Sequence, residues 1–511
     1  MNSVHLNLFA CMSTICLVLG APSQAADQLQ WGQPHTRNMI SHETNLPDNF
    51  DLETGENIKW SAPLGTNAYG SPVIASGKVL IGANNAVPRD ARHVGDRSVL
   101  LCLNENDGSL CWQLAVPRIE GGDIYKDWPN IGMCSPPTVE GDRVYTVTNR
   151  FEVACLDLQG QANGNDGPYV DEGMHMALKE SGKQSIDPEP MEITNIDADL
   201  LWIFDMPAEV GAYPHDGAHS SILLDGENLY VNTCNGVDNT HAVIRSPDAP
   251  SLIAIDKQTG RLVGQDTERI GPQIFHSTWS SPAMGQIDGR RLVFFAGGDG
   301  ILYAFNALDS KGTSVPVEFE RRWRFDFDPT APKKDIHSYL RNRREGPSNI
   351  KSMPVLDHQR LYVTGGGDIW WGKKKAWLVC IDATQSGDIT HSARQWTYPL
   401  ENHACSTPSI YNGMVFVADC GGKLHCVDAK TGEAYWKIDL GRDVWGSTLV
   451  ADGKVYVGTR AGDFWIVAAA KEKQVLSHKK FDAPIASTPV AANGVLYVAT
   501  LEQLYAIEQA R

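Results

Sequence analysis

Three observations predict an all-β fold, an eight-bladed β-propeller of four-stranded antiparallel blades. A strand–turn–strand unit recurs eight times along the 511 residues. Glycine (47) and proline (28) punctuate the chain, and few stretches suit a long helix. The last copy of the unit lacks its fourth strand, and a matching piece lies near the start.

The unit is clearest where 406–417 (STPSIYNGMVFV) is set beside 487–498 (STPVAANGVLYV). Each reads as a strand, a two-residue Asn-Gly turn and a second strand, because Asn and Gly tolerate the positive φ angles of a tight hairpin. A third strand then ends in Asp and a Thr-Gly turn, as in 424–432 (LHCVDAKTG), and a fourth arrives at Trp436. Anchoring on the residue that opens the first strand places copies at Pro72, Pro136, Ser221, Pro282, Pro354, Pro408, Thr448 and Pro489. The smallest spacings are 40 and 41 residues, and the larger ones record insertions. Four short strands per ~40–50 residues is the signature of a radial repeat.

The ring closes at its seam. The eighth copy stops at Ile507-Glu508, and 54–60 (TGENIKW) resembles 431–436 (TGEAYW), so an N-terminal strand completes the last blade. Such closure removes the open strand edges that invite aggregation. The expected organisation is a leader over 1–26, an N-terminal extension over 27–53 and a single propeller domain over 54–511.

Asp-x-x-Thr-Gly followed by Trp, with Gly-x-Val-Tyr-Val hairpins, resembles the pyrroloquinoline-quinone (PQQ) repeat superfamily over roughly 54–508. The motif closes on Trp60, Trp112, Trp202, Trp323, Trp396 and Trp436; blades three and seven lack it. The superfamily includes eight-bladed quinoprotein dehydrogenases and the propeller lipoprotein of the outer-membrane barrel-assembly machine. The resemblance therefore implies a fold strongly and an activity poorly. A dehydrogenase would imply PQQ stacked between a Trp and an adjacent-cysteine disulfide, with calcium held by acidic and amide groups. This chain has no Cys-Cys pair and no Cys-x-x-Cys-His haem site, which argues against that activity. The expectation is a propeller without PQQ or calcium.

Residues 1–26 contain no Asp, Glu, Lys or Arg and carry an apolar stretch with small residues at Ser23 and Ala25. This reads as a secretory signal and predicts a periplasmic or secreted, monomeric protein without an integral membrane segment. A net charge of −17 excludes a general nucleic-acid binder. Of eleven cysteines, Cys11 and Cys16 fall in the leader. Cys102, Cys155, Cys380 and Cys426 share one repeat position with Ala254, Ala304 and Ala506, a slot that demands a small apolar residue. Cys405 and Cys420 pair across the Asn412-Gly413 hairpin and are a possible disulfide.

Long loops in blades one to five, set against short ones in blades six to eight, predict a walled funnel on one face. Those loops are polar and aromatic, and they nominate His215, His219, Arg344, Asp368 and Trp371 for ligand binding. Counting back from each anchor puts Tyr69, Met133, Ala218, Trp279, Lys351, Cys405, Trp445 and Ala486 at equivalent places around the channel mouth. Trp279 and Trp445, three blades apart, are the aromatic faces placed to grip a flat ring or sugar. His215 and His219 have ligand-like spacing, with His276 a third candidate, but they lie in loops, so zinc does not follow from spacing. Residues 157–167 (DLQGQANGNDG) are rich in Asp, Asn and Gly, but Ala162 stands where a calcium-binding loop needs glycine. The expected function is binding of a glycan, peptide or protein through the funnel. A PQQ- and calcium-dependent dehydrogenase, or a carbohydrate-active enzyme using Glu345 and Asp368, is the alternative.

Overall fold

In the computed structural model each of the eight units forms its own antiparallel sheet, its strands in chain order outward from the centre. Residues 26–118, 128–177, 189–216, 220–309 and 315–509 are described; residues 1–25 of the expected leader lie outside them. The sixth blade is representative, with strands Ser409–Tyr411, Met414–Ala418, Lys423–Asp428 and Ala434–Asp439. Its first hairpin turns on Asn412 and Gly413 at φ 49° and 73°. The eighth blade takes its fourth strand, Ile58–Pro63, from the N-terminal part of the chain, antiparallel to Gln503–Glu508. Blades three and four each gain a short parallel fifth strand, Val317–Glu318 and Gly387–Asp388.

The repeat motif is the adhesive between blades. Each of the six tryptophans donates its indole N–H to a backbone carbonyl of the next blade: Trp60 to Glu105, Trp112 to Leu158, Trp202 to Lys257, Trp323 to Ala383, Trp396 to Ala429 and Trp436 to Ala470. The Asp of Asp-x-x-Thr-Gly pins the turn that receives the ring, since Asp428 Oδ1 accepts the N–H groups of Lys430 and Thr431. The turn glycine then lies flat beneath the indole. A Cβ would come within 2.7 Å of Trp60 at Gly108, 2.5 Å of Trp202 at Gly260 and 2.6 Å of Trp396 at Gly432.

The small-residue slot has the same cause. Cys102, Cys155, Ala304, Cys380, Cys426 and Ala506 are the direct cross-strand neighbours of the six tryptophans. Where the indole is missing, blade seven changes the slot, Ile466 facing Ser477, while blade three keeps Ala254 and sets Gly264 opposite it. In blade three the ring of Phe319 covers Gly264.

The N-terminal extension is part of the ring, not an appendage. Residues 26–50 run round the end of the channel opposite the long loops and engage the innermost strand of one blade after another. Gln28 bridges Ile74 in blade one, and Leu29 accepts from Val139 in blade two. Arg37, fully buried, donates to the carbonyls of Ser221 and Pro282 in blades three and four. Burial alone pushes its guanidinium down to about 9. Thr36 accepts from Leu356, and Asn38 exchanges two hydrogen bonds with Ile410. Ser41 reaches Val450 and Ala491, completing the circuit through blades seven and eight. Among the described residues no helix is long and apolar enough to cross a membrane.

Candidate functional site

A cavity of about 600 Å³ occupies the channel at the long-loop end. Its wall is aromatic, formed by Tyr69, Trp128, Trp279, Trp370, Trp371 and Trp445. Its floor includes Trp31 of the N-terminal strap, whose indole donates to Thr488 Oγ1 at 3.1 Å. The strap thus contributes a ring to the lining of the cavity. Of the eight mouth positions, Tyr69, Trp279, Lys351, Cys405, Trp445 and Ala486 line the cavity. Met133 is buried beside it, and Ala218 and His219 lie outside the described residues.

Trp279 and Trp445 do not face one another across an open mouth. Trp370 stands between them, edge-on to both at 5.2 and 5.8 Å. A cation backs each ring on another side: Lys351 Nζ lies 3.8 Å from the centre of Trp279, and the Arg460 guanidinium 4.1 Å from that of Trp445. Cation–π contact strengthens as water is excluded, so both rings are held in fixed planes.

Asp368 sets the position of the double tryptophan. Its Oδ1 accepts the backbone N–H groups of Trp370 and Trp371, both at 3.0 Å, which is the local bond an Asp makes in a tight turn. Its Oδ2 holds His276 Nδ1 at 3.0 Å, Lys351 Nζ at 3.1 Å and Asn349 Nδ2 at 3.1 Å. Burial drives this carboxyl upward, but Lys351 and His276 overcome it and hold it well below the usual carboxylate range. Asp368 is therefore an ionised anchor beneath the cavity wall and does not line it. Arg344 is exposed on the blade-five loop and does not reach the cavity, and Glu345 beside it is likewise exposed. The pair of funnel carboxylates expected of a glycoside-cleaving enzyme is not assembled.

Three histidines meet at one side of the cup. They ride on three backbone segments hydrogen-bonded side by side above blade three: His215 N–H donates to Cys234, Gly236 N–H to Tyr213 and Val237 N–H to His276. Gly236 is required by this approach, because a Cβ there would sit 2.7 Å from the His215 side chain and 2.8 Å from the His276 carbonyl. His215 Nε2 and His276 Nε2 are 3.0 Å apart. Asp216 lies 3.1 Å from His276 Nε2 and 3.4 Å from His215 Nε2. The half-buried His241 packs 4.9 Å from His215, 5.3 Å from His276 and 4.7 Å from Trp371, ring centre to ring centre. Burial pushes His215 down to about 3 and also lowers His241. Burial raises Asp216, but His276, His215 and Lys351 together bring it below the ordinary value. His241, His276 and Asp216 line the cavity; His215 stands behind them.

Other loop charges bridge loops to each other. Arg92 binds Asp90 and both carboxylate oxygens of Asp197, and Arg97 donates to the carbonyls of Val94 and Met176. In the 157–167 loop, Asp157 pairs with Arg143 at 3.2 Å. Cys405 and Cys420 are free thiols, and Cys420 donates to the Val444 carbonyl at 3.4 Å.

Comparison with known proteins agrees with this architecture. A family model described as outer membrane protein assembly factor BamB matches residues 320–475 and 420–511. The quinohemoprotein alcohol dehydrogenase ADH-IIG of Pseudomonas putida is 23% identical over 128 residues, a match spanning 23% of this chain and 17% of that enzyme. BamB from Moraxella catarrhalis superimposes with a TM-score of 0.50 at 12% identity, covering 88% of this chain and 98% of BamB. A europium-containing methanol dehydrogenase gives 0.57 at 12% identity, covering 93% and 89%. At such identities the structural likeness speaks for the fold alone.

Proposed function

We propose that this eight-bladed PQQ-repeat propeller is an exported binding protein that takes a glycan into the aromatic cup at the mouth of its channel. The observation that carries the reading is the cup itself: about 600 Å³ walled by six aromatic rings, with hydroxyls of Ser71, Ser487 and Thr488 and the Asp216, His276 and Lys351 groups among its lining. Sugar rings present apolar C–H faces to indole planes and hydroxyls to polar groups around the edge, so a cavity of this make-up suits them. Its volume falls within the range of small-ligand sites. Export rests on the apolar, charge-free leader.

The quinoprotein reading fares worse on the chemistry of the donors. Calcium takes about six to eight oxygen ligands, whereas the Asp368 carboxylate is already held by two side-chain cations or imidazoles, an amide and two backbone N–H groups. Asp216 sits between two imidazoles. The adjacent-cysteine pair that would stack on the quinone is missing from the sequence. The residues present do not fit a PQQ–calcium pair.

A glycan array followed by calorimetry tests the proposal. Trp371→Ala and Trp445→Ala are expected to weaken binding at least tenfold, with the melting temperature moved by only a few degrees. Calcium-dependent binding of PQQ at micromolar affinity, with no glycan retained, would overturn it.

A further inference from the structure

Two groups of side chains among the described residues bring three potential metal ligands within 4.8 Å of one another: Asp90, His93 and Asp197 near blade one, and His215, His241 and His276 at the cup. The first is already occupied by protein. Arg92 places Nη2 at 3.0 Å from both oxygens of Asp197, so a guanidinium supplies the positive charge. In the second, Lys351 Nζ is held on Asp368 Oδ2 at 3.1 Å.

His276 is anchored through one ring nitrogen, Nδ1 lying 3.0 Å from Asp368 Oδ2, which turns Nε2 towards the rest of the cluster. Around that nitrogen lie His215 Nε2 at 3.0 Å and a carboxylate oxygen of Asp216 at 3.1 Å. A proton can join only one pair of these atoms, whereas a metal ion can engage all of them at once. The ring of His241, half-buried and opening on the cavity, supplies a third imidazole. A carboxylate that orients a ligating histidine through its other ring nitrogen is the usual support of such a ligand, and Asp368 holds that place.

We infer that His215, His241 and His276, joined by Asp216, form a binding site for a divalent first-row transition ion of the zinc class, facing the cup. Imidazole nitrogen selects zinc, cobalt, nickel or copper over calcium and magnesium, which prefer all-oxygen shells. Because His241, His276 and Asp216 line the cavity, a coordination position on the ion would open towards whatever the cup holds. The inference deepens the binding reading by adding a Lewis-acidic point to that site. It rests on that reading only for the use of the ion, because metal uptake is measured with no glycan present.

The probe is Co²⁺ added alone to the full chain after chelator treatment, followed by absorption and by metal analysis of the desalted protein. The expected result is one equivalent per chain, with the intense visible bands of a low-coordinate imidazole site, displaced by Zn²⁺. His276→Ala and His241→Ala should each weaken uptake at least ~100-fold, while His478→Ala, an exposed histidine on blade seven, leaves it unchanged. His241 is only half-buried, so its variant remains informative if the buried His276 change impairs folding. Failure of the wild type to take up one equivalent, or retention of tight uptake by folded His241→Ala, overturns the inference.

Discussion

Gly432→Ala measures how much the blade-to-blade docking of the repeat motif contributes. Gly432 has φ +76° and its added Cβ would lie 2.6 Å from the Trp396 ring, well inside normal contact. Gly55 occupies the same turn in blade eight, at φ +78°, but nothing lies within 4 Å of its Cβ, because blade seven has Ser477 where a tryptophan would be. The two turns are otherwise alike: Asp51 accepts from Glu53 and Thr54 as Asp428 does from Lys430 and Thr431. A left-handed alanine costs ~1–2 kcal/mol at either position. At Gly432 the indole must also move by about an ångström, an overpacking cost of ~1–3 kcal/mol. The Trp396 N–H bond to Ala429, now 3.2 Å, stretches and loses part of a further ~0.5–1.5 kcal/mol. The expected losses are ~1–2 kcal/mol for Gly55→Ala and ~2–6 kcal/mol for Gly432→Ala. Urea unfolding followed by far-ultraviolet circular dichroism reads the difference, which vanishes in a Trp396→Phe background if the indole is its cause. Equal midpoint shifts for the two alanine variants would refute the docking argument.

The slot rule predicts a compensating pair in blade seven. Ser477→Trp alone should destabilise by ~1–3 kcal/mol against Ile466, and Ile466→Ala alone by ~2–5 kcal/mol; the double variant should recover at least ~1 kcal/mol of their sum, read as a double-mutant cycle, and strict additivity would count against the rule. Asp299 is nearly buried and bonded to Tyr303 at 2.6 Å, and burial pushes its carboxyl up to about 7. Below the unfolded value both states hold the proton. From there to about 7 only the folded state keeps it, so this group makes stability fall as pH rises and then level off. Asp299→Asn should flatten that decline and stabilise the protein by ~1–2 kcal/mol at pH 8, and an unchanged slope would assign the decline elsewhere.

The repeat was legible because its chemistry is local. An Asp, a Thr-Gly turn and a Trp recur within a dozen residues, and each does the same job in every blade. The same lattice carried the eight mouth positions forward, and six of them line the cup. Single loop residues were harder to place. Asp368 reads as a funnel carboxylate, yet its bonds to two backbone N–H groups draw it under the wall and leave Trp370 and Trp371 to line the cavity in its stead. Arg344 points outward while its neighbour Arg343 donates to the Ile369 carbonyl, a difference of one position in an irregular loop. His241 joins His215 and His276 through pairing of segments 213–216, 234–244 and 276–278, which follows no repeat. Gly236 was the available clue, a glycine where two chains close in on a third. The strap has no periodicity at all. Its bonds go mostly to backbone carbonyls and amides, which every sequence possesses, so neither Trp31 nor Arg37 stands out before the ring is built.

The strap also ties folding to completeness. Trp31 and Thr488 are 457 positions apart, and the N-terminal strand is synthesised long before the Gln503–Glu508 edge it must pair with. Contacts of such separation form late, because loop closure must be paid before they reward the chain. Residues 26–63 therefore wait until the eighth blade emerges. A nascent or truncated chain with fewer blades presents an unpaired edge and an unengaged strap, a form that quality-control proteases can recognise. The finished ring hides both in one step.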